Sequence, residues 1–305
     1  MEDVLSLLNQ PLFHGAAVSI WMVIAAGGGL LLVLIAAFIL IRRKKQGEKA
    51  AEEPITEPVN PPPELELANL QGIGSRYEQQ DAFGISRMER YEKDGLFAVL
   101  CDGMGGMTEG GRIAAETVSE LLGIFPLSDN DIPDRVSQQS AKVYRHFRGH
   151  GGTTMVAVLI KGNRLLFWCV GDSDLFLLRG NKLYGMNIRQ EYKNELLLRA
   201  LQGAFPVEES FNDPQAGALS EYIGKEDVKC DYSRKPFFLR PGDALLLCSD
   251  GVSDTLTLKQ IMEAMTLSPQ ACCNKLEEDI ISADKPNQDN YTAVVLNYHG
   301  KGEKE

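Results

Sequence analysis

No pair of cysteines stands at metal-finger spacing, no histidines cluster, and no surplus of positive charge runs along this 305-residue chain. Each absence removes a class of function. The six cysteines are scattered, which excludes a zinc finger or ribbon; Cys101, Cys169 and Cys248 each sit in an apolar run just before a turn and read as small core residues of a reducing compartment. Cys272 and Cys273 are adjacent and cannot easily bridge to each other. With 31 Lys and Arg against 42 Asp and Glu the formal charge is −11, which argues against a nucleic-acid-binding surface and suits a site that collects divalent cations. No internal repeat is present. An apolar fraction of 44% supports one sizeable globular domain with appendages.

The N-terminal quarter reads as an appendage. Residues 1–15 contain Glu2 and Asp3 but no Lys or Arg, and residues 16–41 are apolar or small apart from Ser19, with the triplet Gly27-Gly28-Gly29 among them. As a helix this run spans about 39 Å, enough to cross a hydrocarbon core of about 30 Å. Arg42-Arg43-Lys44-Lys45 follows at once, so the positive side is C-terminal and the bulk of the chain is expected in the cytoplasm. A cleaved signal peptide would need a basic start and a shorter apolar core. The expectation is a single-pass protein of a cell inner membrane or plasma membrane, with a short extracytoplasmic N-terminus at 1–15. Residues 42–66, basic and then rich in Glu, Pro and Ala, read as a juxtamembrane segment and stiff linker. The globular domain is expected over 67–300, followed by a polar tail at 301–305.

Within the globular part, Leu96–Cys101 is an unbroken apolar run that reads as a buried strand. Between Thr153 and Tyr184 short apolar runs alternate with the turns Lys161-Gly162-Asn163, Gly171-Asp172-Ser173-Asp174 and Arg179-Gly180-Asn181, a pattern that predicts an antiparallel meander. Helices are predicted over 110–124, 131–147, 189–201, 258–265 and 269–281, the last with Pro269 in its first turn. Strands return over 244–248 and 292–296. Strands in the middle with helices around them indicate an α+β domain.

Four aspartates stand at the ends of these strands. Asp102-Gly103 follows the first, Asp172 closes the run ending in Val170, Asp250-Gly251 follows Cys248-Ser249, and Asp289-Asn290 precedes the last strand. Any one of them is an ordinary turn residue. Strands of one core tend to bring their ends together, however, and two carboxylates about 4 Å apart repel by roughly 4 kcal/mol at an effective dielectric near 20. Protons or metal ions must relieve that repulsion. Oxygen ligands without His or Cys favour Mg²⁺ or Mn²⁺ over zinc, and two such ions can activate a water and clamp a phosphoryl group. Upstream, Arg76 could grip a phosphate through two parallel hydrogen bonds.

The order of these motifs, Arg76 with Gln80-Asp81-Ala82, then Asp102-Gly103-Met104-Gly105-Gly106, Gly152-Thr153-Thr154, Gly171-Asp172-Ser173, Ser249-Asp250-Gly251 and Asp289-Asn290, closely resembles the metal-dependent serine/threonine protein phosphatases of type 2C in their bacterial form. The resemblance covers residues 70–297. It implies two antiparallel sheets stacked face to face with helices outside, a four-layer αββα sandwich, and a centre of two Mn²⁺ or Mg²⁺ ions. On the family's pattern Asp102 bridges both ions, the Gly103 carbonyl binds one, and Asp250 and Asp289 complete the other. A metal-bridging hydroxide attacks phosphorus while Arg76 orients the phosphate. Asp172 and Asp254 match positions that bind a third metal in some members, and Gln80, Asp81 and Asn290 stand beside the metal ligands. The residues between the meander and Arg240-Pro241-Gly242-Asp243 correspond to a flap that shapes substrate access.

Three positions depart from the pattern. Gln80 stands where some members have a glutamate, Met104 replaces a histidine of eukaryotic members, and Asp174 replaces an arginine usual after Gly-Asp-Ser. The expected function is a membrane-anchored phosphatase acting on phosphoserine and phosphothreonine in proteins, opposed by a Ser/Thr kinase. The alternative from another class is an inactive phosphoprotein-binding module at the membrane, and a small-molecule phosphomonoesterase is a third reading.

Overall fold

A strand that is apolar on both faces can be buried only between two layers, and the sequence holds several such strands. The computed structural model describes residues 64–104, 109–126, 131–147 and 150–300. Residues 1–15, the predicted membrane helix at 16–41, most of the linker, Gly105-Gly106 and the tail lie outside the described residues. No helix among the described residues is long and apolar enough to cross a membrane.

Two antiparallel sheets form the centre. In the first, β1 (Leu65–Gly72), β11 (Tyr291–Tyr298), β10 (Asp243–Cys248), β6 (Asp174–Arg179) and β7 (Lys182–Gly185) lie side by side in that order. In the second, the order is β2 (Asp81–Ile85), β3 (Leu96–Asp102), β4 (Met155–Lys161), β5 (Arg164–Val170) and β8 (Asp231–Tyr232), with β9 (Phe237–Phe238) also pairing with β5. Helices α1 (Gly110–Gly123) and α2 (Asp131–Phe147) come after β3, and α3 (Tyr192–Leu201) and α4 (Val207–Asn212) follow β7. Beyond β10 lie the short α5 (Asp250–Ser253), then α6 (Leu258–Met265) and α7 (Pro269–Ser282).

Alternation along each strand sorts its side chains between layers. In β3, Leu96, Ala98 and Leu100 join Leu245, Leu247, Val294 and Leu296 between the sheets, whereas Phe97, Val99 and Cys101 face Ile113, Ala114 and Leu121 of α1. In the other sheet Leu246, Cys248 and Val295 face Ile261 of α6 and Leu276 of α7. Three apolar interfaces therefore hold four layers, helices outside two stacked sheets, as the resemblance implies. Each fully buried Leu, Ile or Val contributes roughly 1.5–3 kcal/mol. Thr257 and Gln260 form a reciprocal capping box that starts α6.

Three expectations change. The chain from Thr153 to Tyr184 is not one meander: β4 and β5 pair in one sheet, β6 and β7 in the other, and the Gly171–Ser173 turn carries the chain across. Apolar runs on either side of a short turn look alike whether the strands pair or pack face to face. The helix predicted from Arg189 starts at Tyr192, because Glu191 is extended and the preceding residues are bound to that crossing turn. The first strand begins at Leu65, inside the stretch read as linker, since Leu65 is buried and pairs with Tyr298.

Candidate metal centre

The crossing from sheet to sheet is what gathers the aspartates. Asp102 ends β3, and Asp81 pairs with it at the start of β2. Asp250 opens α5 directly after β10, and Asp289 precedes β11, its neighbour in the other sheet. Asp172 sits in the crossing turn.

Each of these ends is tied down by hydrogen bonds. The Asp102 carbonyl accepts from Thr153 Oγ1 at 2.7 Å and from the Thr154 amide at 2.8 Å, while its own amide donates to Thr154 Oγ1 at 3.0 Å. Thr154 Oγ1 lies 2.7 Å from Ser173 Oγ, so β3, β4 and the crossing turn share one buried hydroxyl pair. Ser249 Oγ donates to Asp81 Oδ2 at 2.8 Å and accepts from the Thr292 amide at 3.0 Å, which links the second sheet to the first. Asn290 is buried and organises the loop before β2: its Oδ1 accepts from the Gln80 amide at 2.8 Å, and its Nδ2 donates to the carbonyls of Ile73 and Glu78.

Glycine after each central aspartate has a steric cause. A Cβ at position 103 would come 2.4 Å from the Gly110 carbonyl carbon, and one at position 251 would come 1.9 Å from the Asn290 carbonyl oxygen. The backbone packs too closely there for any side chain.

The carboxylates are held against their own charge. Burial pushes the Asp102 carboxyl well above the ordinary carboxylate range, and the negative fields of Asp81, Asp250, Asp172 and Asp289 add to it. Asp81 is raised to about 6, mainly by burial, with hydrogen bonds from Thr292 and Ser249 opposing the shift. Asp172 is raised to about 7 by burial and by Asp250. Asp250 is raised by burial, then by Asp254 and Asp289. Among the described residues no three His, Cys, Asp or Glu side chains close on one point as a finished ligand cage.

Do these residues fit divalent cations? Asp81 Oδ1 and Asp250 Oδ1 are buried and receive no hydrogen bond, so each offers a desolvated oxygen with no proton donor. Unpaired buried oxygens within a repelling set of carboxylates are the donors that a hard cation requires. The residues fit Mn²⁺ or Mg²⁺.

Two arginines flank the cluster. Arg76 Nη2 meets Asp289 Oδ2 at 2.6 Å on the exposed side. On the other side Arg189 contacts both oxygens of Asp174 and lies 2.6 Å from Asp254 Oδ1. Burial works against its charge, but Asp174 and Asp254 more than compensate and hold its pKa above the usual guanidinium value. Of the residues selected from sequence, Asp81, Asp102, Asp172, Asp250 and Asp289 act on one another here, and Asp254 acts on Asp250. Gln80 touches Asp102's strand end through its carbonyl, which accepts from the Gly103 amide at 3.1 Å. Sequence reasoning missed Arg189 as part of the site, and it placed Ser249 and Thr154 in motifs without assigning them the roles seen here. Arg189 belongs to no motif, although an acidic residue at 174 in place of an arginine signals that a positive charge must come from elsewhere.

The model of the family described as "Protein phosphatase 2C" matches residues 73–284, more than half of the chain. The serine/threonine protein phosphatase PstP of Mycobacterium tuberculosis is 29% identical over 244 residues, an alignment that covers 72% of this chain but 44% of that protein. The chain thus spans less than half the length of that relative. Protein phosphatase PhpP of Streptococcus pneumoniae is 28% identical over 217 residues, covering 66% of this chain and 85% of PhpP. Among solved structures, the S. agalactiae serine/threonine phosphatase superposes with a TM-score of 0.65 at 26% identity, covering 76% of this chain and 99% of that one. The PstP catalytic domain in complex with two manganese ions shares the fold, with a TM-score of 0.61, 23% identity and coverages of 76% and 97%.

Proposed function

The chain belongs to the protein phosphatase 2C family, and on that premise we propose that it is a membrane-anchored, metal-dependent enzyme that hydrolyses phosphoserine and phosphothreonine in proteins. The observation that carries this reading is the convergence of strand-end carboxylates from both sheets, with buried oxygens at Asp81 and Asp250 that nothing donates to. The names of its bacterial relatives, serine/threonine and protein phosphatases, support the same reaction.

Asp102, the Gly103 carbonyl, Asp250 and Asp289 would hold two Mn²⁺ or Mg²⁺ ions. When bound, these ions supply an acidified water and neutralise phosphoryl oxygens. The protein's own part is to hold that arrangement still. Thr153 and Thr154 fix the end of β3, Ser249 fixes Asp81, and Asn290 fixes the loop that carries Arg76. Arg76 is half exposed and makes one ion pair, so it can leave Asp289 to grip a phosphate by two parallel hydrogen bonds. Met104 carries no transferable proton, and the leaving serine or threonine oxygen takes its proton from water.

Residues 16–41 anchor the protein in a cell inner membrane or plasma membrane, and the basic cluster at 42–45 keeps the domain on the cytoplasmic side. Tethering raises the local concentration of the enzyme near membrane-proximal phosphoproteins. Those proteins, and a Ser/Thr kinase that phosphorylates them, are its partners.

The full chain in detergent should release phosphate from a phosphothreonine peptide with Mn²⁺, stop on addition of chelator, and lose about 10³-fold or more in kcat on Asp102→Asn. A folded protein that binds Mn²⁺ yet turns over none of several phosphopeptides would sink this reading. Protease added to intact cells should leave the domain whole; cleavage within it would reverse the assigned topology.

A further inference from the structure

Arg189 lies where three elements of the site meet. Its Nη2 sits 2.6 Å from Asp174 Oδ2 at the start of β6 and 2.7 Å from Ser253 Oγ in α5. Its Nε reaches both Asp174 oxygens, at 3.2 and 3.1 Å, and its Nη1 sits 2.6 Å from Asp254 Oδ1 and 3.8 Å from Glu191 Oε1. Every nitrogen of the guanidinium is engaged. Its field also acts on the carboxylates of Asp172 and Asp250. The backbone around it is equally fixed, because the Gln190 amide donates to the Gly171 carbonyl at 2.8 Å and Gln190 Oε1 accepts from the Gly171 amide at 2.7 Å. Asn187 holds the same turn, accepting from the Leu175 amide and donating to the Ser173 carbonyl.

We propose that Arg189 is a resident cation of the centre: its guanidinium occupies Asp254 beside Asp172, so this chain takes two divalent ions and has no third ion site there. A divalent ion bound by Asp254 and Asp172 would need their oxygens free. Asp254 Oδ1 already accepts a charge-assisted hydrogen bond from Nη1, and although Asp254 is itself half exposed, the guanidinium that donates it is anchored there by buried Asp174 and by Ser253 through its other nitrogens. Adding a doubly charged ion beside the guanidinium would also set like charges against each other. The resemblance's third-metal residues are therefore present in sequence but committed in space. This inference rests on the two-ion reading of Asp102, Asp250 and Asp289.

Equilibrium dialysis of the full chain in detergent against Mn²⁺ up to the millimolar range, with bound metal counted by elemental analysis, tests it without an activity measurement. The expected result is about two Mn²⁺ per chain, unchanged in Asp254→Asn, and about three in Arg189→Met, where the carboxylates are released. A wild-type count of three that falls to two in Asp254→Asn would overturn the proposal while leaving the two-ion reading intact. A count of two in a folded Arg189→Met would show that Arg189 does not exclude the ion. A wild-type count below two would overturn the two-ion reading and this inference with it. If Arg189→Met does not fold, the comparison of wild type with Asp254→Asn decides.

Discussion

Both ends of the carboxylate cluster carry an arginine, and the two are opposites in setting. Arg76 and Asp289 have side chains 45% and 39% exposed and share one contact. Arg189 and Asp174 are 21% and 12% exposed, and the same guanidinium reaches Asp254 and Ser253. An exposed pair is screened by water and is worth about 0–1 kcal/mol, so it can be exchanged for another anion. A buried pair whose partner is removed leaves an uncompensated charge costing about 3–5 kcal/mol, so it stays. One chemical group thus serves as a movable hand on one side of the centre and as a fixed clamp on the other.

The largest effect that could break this contrast is on folding. Arg189→Ala should lower stability by about 3 kcal/mol, the low end for a pair that keeps some exposure, read as a shifted denaturation midpoint. A change below about 1 kcal/mol would mean that the two ends do not differ. Next comes turnover at the exposed end. Arg76→Ala should leave stability within about 1 kcal/mol of wild type while kcat/KM falls about 10²-fold, with Arg76→Lys restoring little because an ammonium cannot make the paired contact. Equal damage to stability and to kcat/KM would instead place Arg76 among the structural residues.

The smallest effect is on the pH dependence of the metal-free protein. Asp81 and Asp172 are raised from 3.8 to about 6 and about 7, so the folded state holds protons that the unfolded chain releases. Their contribution to stability is full below the unfolded value and is lost as pH rises through the folded values. The melting temperature of the metal-free protein should carry a downward component between about pH 4 and pH 7, reduced in Asp81→Asn and flattened by Mn²⁺. A profile that neither Asp81→Asn nor Mn²⁺ alters would contradict the clustering.

The strands with unbroken apolar runs, 96–101, 244–248 and 293–296, were legible because burial on both faces leaves few polar positions in the sequence. The helices at 110–124, 131–147 and 269–281 were legible from their periodicity. The exchange between sheets at Gly171–Ser173 was not, since a turn between paired strands and a turn between stacked ones use the same residues. Arg189 was hidden for a related reason: its spacing fits the helix that begins at Tyr192, and only hydrogen bonds to a turn reached through the fold hold this segment outside that helix.

By itself the sequence determined that apolar strands end in aspartates, that oxygen ligands and negative charge suit hard divalent ions, and that a long apolar run with a basic flank precedes the domain. Those properties are local, set by residue type and spacing. The tertiary structure decided which carboxylates feel one another, which oxygens remain without donors, and which arginine is held by a buried partner and which by an exposed one. Asp81 meets Ser249 across 168 residues, and Arg189 meets Asp254 across 65. Such partners are chosen when two sheets close on each other and withdraw the charges from water, because only then does the energy of an ion pair depend on where it lies.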